Sequence, residues 1–421
     1  MSHTASLHRW TTQVLPNGGR PARLLAAATL VSTIGFGVYL TTGVLYFTRV
    51  VHLSATQVGA GLTVAGAVAL AAGIPFGHLA DRRGARSVYA LTLGFGAVAT
   101  AGLCFVRDFW MFVLFASLVT IGQSAGQAAR GPLVQEYGGE RPAEFRGYLR
   151  SVTNLGISVG AVLAGWGITV DTRSAYMVLI AGSGVTYAVS ALLVGLLPYL
   201  APTSQGTERR WVALRDRPYL VLTLLDGVMA IQYSVLTTAV PLWLVDRILA
   251  PHWSVSMVIL INTVVVVAFQ VRVSRGITTL AAGGRAFRRA GFAFLGAAVL
   301  ISLLVDVPVW LAVALLPIGV IIHTIGEIYH AAGGFELSFA LAPRNAVGQY
   351  QGMFGMGLGY GITLGPALLI TLCIGWGVPG WWIVGAVFAL TGLVVPPIVR
   401  WAERHRPYQQ VGPADAEPSE L

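Results

Sequence analysis

The chain contains no lysine: all 27 of its basic residues are arginine. That absence reads as base composition in a GC-rich genome rather than as function. Charge of either sign is scarce, at 10% of 421 residues. Soluble domains average about 25% charged residues, so this pool cannot furnish a water-facing surface of ordinary size. Cysteine is rarer still. Cys104 and Cys373 both fall inside apolar runs, where lone thiols act as packing residues, and no disulfide framework is expected. No nucleophile–base pair or phosphate-binding loop occurs, so an enzyme is not expected. Convergent metal ligands are also missing, and neither a metal nor a cofactor is expected.

Apolar residues make up 55% of the chain, with a mean hydropathy of +0.72. A membrane span needs about 20 such residues. Apolar runs between charged turns place spans near 24–48, 57–79, 88–106, 109–129, 147–169, 175–197, 218–245, 254–274, 287–305, 308–333, 347–372 and 380–400. The expected fold is an all-α membrane protein of twelve transmembrane helices. The first 22 residues are polar and lack a cleavable signal pattern, and no appended soluble domain is expected.

The formal net charge of +10 would suit nucleic acid, but the arginines stand in short loops between spans. Basic residues concentrate in cytoplasmic loops. With the N-terminus inside, 23 arginines fall in the tails and even-numbered loops; Arg49, Arg107, Arg173 and Arg247 alone fall outside. Both termini are therefore expected in the cytoplasm of a plasma (inner) membrane, with the lipid bilayer and not nucleic acid as partner.

A polar stretch, 198–217, reads as a central cytoplasmic linker. It separates an N-terminal half, 23–197, from a C-terminal half, 218–400, with tails at 1–22 and 401–421. Gly147, Gly156 and Gly160 of span 5 recur as Gly352, Gly361 and Gly365 of span 11, each shifted by 205 residues, and the residues before them, Arg146 and Gln351, are both polar. Two similar six-helix halves follow, with a site at their interface. In span 2, Gly59, Gly66, Gly73 and Gly77 permit close helix approach. Span 11 is so glycine-rich that either a bendable helix or close packing explains it.

Charged residues inside spans cost about 2.5–3.5 kcal/mol each on insertion scales, so they mark function. Asp226 lies eight residues into span 7, and Glu327 about six from the cytoplasmic end of span 10. Both would sit roughly 10 Å inside the boundary and are candidates for proton binding. His323 and His330 share a helix face with Glu327. His323 joins the proton-coupling candidates, whereas His330 reads as a satisfied polar side chain bonded to a neighbouring helix. Tyr39, Gln123, Gln127, Asn154, Tyr233, Asn262 and Tyr360 are candidates to line a mostly apolar cavity. Arg130 and Arg150 are placed near the cytoplasmic ends of their helices, which leaves the deep cavity without a cation and disfavours anionic cargo.

Between spans 2 and 3 stands Gly77-His78-Leu79-Ala80-Asp81-Arg82-Arg83-Gly84-Ala85-Arg86. It resembles the G-x-L-A-D-R-x-G-R-[RK] loop of the major facilitator superfamily, with Ala85 in place of one basic position. The resemblance implies alternating access between two halves by a monomer. It also implies a gate in which Asp81 contacts the start of span 11 when the cytoplasmic side is closed. Gly77, Asp81, Arg82, Gly84 and Arg86 are the gate candidates. Asp81 has two expected partners, the neighbouring Arg82 or Arg86 and the N-terminus of an opposing helix. Glu136 below span 4 is an expected partner for the arginines. The matching loop after span 8 lacks an acid, so the latch is expected on one side only.

Thr324-Ile325-Gly326-Glu327 is similar to span 10 of proton-coupled multidrug antiporters of that superfamily. This implies efflux of small amphipathic or cationic compounds driven by the proton gradient, with protons and a small molecule as partners. Span 4 lacks those antiporters' central Arg and span 5 their Gly-Pro pair. A proton-coupled importer of a small nutrient is the alternative. A non-transporting sensor or scaffold on the same fold is the rival from another class.

Overall fold

The computed structural model describes residues 19–202, 212–251 and 253–405. Most of both tails and the middle of the expected linker, 203–211, lie outside them. The described secondary structure is all helical. Eleven helices are long and apolar enough to cross a membrane, and the pair Thr56–Leu70 and Gly73–Arg83, bent by 42°, makes a twelfth when counted as one. With that pair as span 2, the others are Gly19–Val50, Ala85–Phe105, Phe109–Tyr137, Pro142–Val170, Arg173–Gly195, Arg217–Ile248, Trp253–Arg275, Leu280–Asp306, Val309–Ala340, Val347–Gly375 and Val378–Arg404.

The helices run past the apolar stretches that announce them, because polar caps rather than hydropathy end them. Pro142 occupies the first turn of span 5, where its missing N–H is no loss. The Asp108 and Thr279 side chains accept from Met111 and Ala282 at the starts of spans 4 and 9. Ser54 and Gln57 form a reciprocal capping box on span 2. Hydropathy marks only the lipid-matched part of each helix. The span 5 helix therefore starts at Pro142 and the span 10 helix ends at Ala340, which puts several charged residues farther from the helix ends than the apolar runs imply.

The repeated glycines meet matching neighbours. Gly156 and Gly160 abut span 1 at Leu30 and Ile34, while Gly361 and Gly365 abut span 7 at Gly227 and Ile231. Gly147 faces Ser274 of span 8, and Gly352 faces Gly73 of span 2. Span 11 is an unbroken α-helix over Val347–Leu369. Its glycines serve close approach to span 2 on one face and to span 7 on another, and no bend is needed to explain them.

A side chain at position 160 would collide with the Ile34 carbonyl oxygen, whereas Gly165 faces open space. Gly160→Val is expected to destabilise the protein by about 1–3 kcal/mol or more through overpacking, and Gly165→Val to leave stability unchanged. Thermal unfolding of the two purified variants checks this.

Candidate functional site

The halves are joined at the arginine-rich end of the bundle. Asp81, buried at 1% exposure, accepts from the backbone N–H groups of Gly348 (2.8 Å) and Gln349 (3.0 Å). These are the second and third residues of the span 11 helix, whose first turn has no internal acceptors for its N–H groups. A carboxylate there gains both the hydrogen bonds and the helix dipole. Of the two expected partners the opposing helix is realised. Arg86 donates instead to the Gly195 carbonyl at 2.6 Å.

Contact this close requires glycine. Gly73 and Gly77 lie backbone to backbone against Gly352 and Gly348. Gly84 adopts φ +91° to turn the chain from span 2 into span 3, a conformation that favours glycine. Arg82 and Glu136 are exposed. Glu136 forms no ion pair among the described residues, which corrects its expected role.

The latch is not one-sided, contrary to expectation. At the end of span 8, Arg275 Nε donates to Glu144 Oε1 in the first turn of span 5 at 2.6 Å. The acid comes from the helix start and the base from the loop, so charge polarity is reversed and a search for an acid in that loop misses it. Asp81→Asn leaves two N–H groups with a weaker acceptor, and is expected to cost the closed state about 1–2 kcal/mol. Faster thiol labelling of Gln349→Cys checks this.

Deeper in the interface Arg146 donates to Gln351, the residue 205 positions away that shares its place in the repeat. The Arg146 guanidinium also lies over the rings of Phe335 and Phe339, at 5.3 and 5.4 Å. One turn further, Arg150 Nη2 donates to Glu327 Oε1 at 2.6 Å and Nη1 to the Tyr233 hydroxyl at 2.9 Å. Asn262 Nδ2 donates to Glu327 Oε2 at 2.7 Å and to Thr324 Oγ1 at 3.2 Å. The two side chains of the ion pair are 18% and 9% exposed. Both carboxylate oxygens thus have a partner, one on the N-terminal half and one on the C-terminal half.

This arrangement corrects several expectations. Arg150 is not at a helix end: span 5 begins eight residues earlier, at Pro142. Glu327 lies thirteen residues from the end of its helix, about 20 Å along the axis from that end. Asp226 lies near the same Tyr233 but makes its own bond. It pairs with His330 Nε2 at 2.9 Å, with both side chains under 5% exposed. His330 is thus a polar side chain bonded to a neighbouring helix, as expected. His323 turns away from Glu327 to meet Gln232 at 3.1 Å. Glu327, Tyr233 and Asn262 are joined with Arg150 by hydrogen bonds; Asp226 and His323 bond elsewhere but stay within electrostatic reach of Tyr233 and Glu327 respectively.

A second feature lies within the first half. A cavity of about 170 Å³ opens between spans 1, 3, 4, 5 and 6. Gln123 and Gln127 line it as expected, and Gln123 Nε2 donates to the Tyr187 hydroxyl at 3.3 Å. Tyr39, Asn154 and Tyr360 do not line it; Tyr39 packs against its own helix at Gly43 and Tyr360 is 44% exposed. Sequence reasoning missed Tyr89, Thr92, Arg130, Thr153 and Tyr187. Gln123, Gln127 and Arg130 share one helix face by their spacing, a signal present in the sequence.

A family model described as Major Facilitator Superfamily matches residues 25–333. The chain belongs to the Major Facilitator Superfamily. It is a secondary transporter of that fold. Among solved structures, the human organic anion transporter MFSD10 (TETRAN) is similar at a TM-score of 0.68 and 14% identity, over 90% of this chain and 100% of that one. A bacterial homologue of the iron transporter ferroportin, in an outward-facing state, gives 0.73 and 13%, over 91% and 100%. The nucleoside transporter NupG gives 0.56 and 15%, over 91% and 100%. No curated protein sequence matches the chain. At such identities the likeness is one of fold. The three cargoes share no chemistry, and the matches do not single out multidrug antiporters.

Proposed function

We propose that this protein is a proton-coupled transporter working by alternating access, with its arginine-rich end cytoplasmic and closed. The bias of arginine toward the tails and even-numbered loops of the sequence supports the orientation, and the matching glycine contacts of spans 5 and 11 support two pseudo-symmetric halves. A monomer in the plasma (inner) membrane fits this reading. The single observation that carries it is the Arg150–Glu327 bridge. It ties one half to the other, and a proton on Glu327 removes the charge that holds it. Protonation from the outer side then favours opening inward, and deprotonation on the inner side favours return.

Import of a small organic solute with the proton is the direction we favour. Arg150 already neutralises Glu327, which leaves that acid poorly suited to attract a cationic drug. Efflux of amphipathic compounds is the second reading, favoured by the apolar flank of the cavity at Phe36, Leu93 and Val119. Counterflow in proteoliposomes, followed by pH-gradient-driven accumulation with Glu327→Gln, tests the coupling. Unchanged uphill accumulation in that variant would sink it.

A further inference from the structure

We infer that the cavity in the first half binds the carboxylate of a small amphipathic organic anion, with Arg130 as its counter-ion. The inference deepens the transport reading above and rests on it. Arg130 stands seven residues inside the end of span 4 and lines the cavity beside the Tyr89 phenol. Among the described residues it is in no ion pair with an acid. The acids described above at the interface are already committed: Glu327 to Arg150, Asp226 to His330, Glu144 to Arg275 and Asp81 to the span 11 N–H groups. A guanidinium within the span of a membrane helix with no acid against it calls for an anion from outside the chain.

The rest of the lining suits a carboxylate rather than a bare inorganic ion. Gln123, Gln127 and Thr92 offer hydrogen bonds on the polar side. Phe36, Leu93 and Val119 face them and provide room for an apolar body. Gly122 and Gly126 form part of the wall, and a methyl group at either would touch span 3 at Phe95 or Thr92, at 3.4 Å. They keep the space between spans 3 and 4 open.

Charge also sets the sign of coupling. Spans 4 and 5 bring Arg130 and Arg150 each within electrostatic reach of Arg146. Tyr89 and Tyr187 face Arg130 from spans 3 and 6; Asp226, His323, Glu327 and His330 stand across the interface. A proton on Glu327 leaves the arginine group short of one negative charge, and a bound carboxylate restores it. Anion and proton therefore bind in each other's favour and travel in the same direction. A cationic cargo would compete with the proton and travel against it.

The test is equilibrium binding of probes that share a body and differ in charge: radiolabelled benzoate, benzyl alcohol and benzylamine, extended to larger arylacetates, on the purified full chain in nanodiscs. The expected result is binding of carboxylates in preference to the amine, tighter in acidic buffer. Arg130→Gln is expected to weaken carboxylate binding roughly tenfold or more, and Arg130→Lys to restore part of it. Glu327→Gln is expected to keep carboxylate binding while losing its pH dependence. That variant separates the two readings, since lost pH dependence with binding retained supports both. Retained pH dependence in Glu327→Gln overturns the coupling alone. Binding of no carboxylate, preference for benzylamine, or unchanged affinity in a folded Arg130→Gln protein overturns the anion site.

Discussion

Replacing Glu327 by Gln is expected to abolish accumulation driven by a pH gradient while leaving counterflow of cargo in place. Glutamine keeps the size of the side chain and its oxygen still accepts from Arg150, so the cavity and its packing survive. It cannot release or take up a proton, so the gradient has nothing to act on. The unpaired guanidinium is the second consequence. Removing one partner of a buried ion pair costs about 3–5 kcal/mol, and this cost falls on the closed interface rather than on a state in which water reaches Arg150. A difference of about 3 kcal/mol shifts a two-state population roughly a hundredfold. Steady-state accumulation and counterflow measured on the same proteoliposomes check both parts. Loss of both would place Glu327 in cargo binding instead.

Gly77→Val is expected to hold the arginine-rich end open and to reduce transport about a hundredfold. The new side chain would meet the Gly348 carbonyl, and backbone on both sides leaves neither helix room to yield. Span 2 must move off span 11, which also breaks the two hydrogen bonds to Asp81. Overpacking at about 1–3 kcal/mol and two charge-assisted bonds at about 1.5–3 kcal/mol each together exceed what a few-kcal/mol conformational balance tolerates. Spin labels at Arg83 and Arg344, exposed sites on opposite halves, read the opening directly as a longer and broader distance. A distance distribution like that of the unsubstituted protein would show that this contact does not limit closure.

Much of the architecture was legible because a membrane forces long apolar runs and sorts arginine by side. The gate was legible from residue type: Asp81 between arginines and beside Gly77 has little use except to reach a helix start. The site was less so. Arg150 looked peripheral because hydropathy starts span 5 at 147, whereas the helix starts at Pro142. Its partner is 177 residues away on the other half, and no local pattern announces a pairing across the interface. Both histidines were read with Glu327 from helical spacing alone. Span 7 packs against that part of span 10 and captures them through Asp226 and Gln232. Reading Arg130 as a helix-end residue hid the cavity in the same way.

The most direct test of the account needs no cargo: the distance between labels at Arg83 and Arg344 as a function of pH, in the otherwise unsubstituted protein and in Glu327→Gln. A bridge held by the ionised carboxylate predicts a closed end in alkaline buffer and a growing open population as the medium is acidified. It further predicts that Glu327→Gln is open to the same extent at every pH. A closed end that ignores pH, or a pH response that survives in Glu327→Gln, would contradict the claim that a proton on this residue releases the gate.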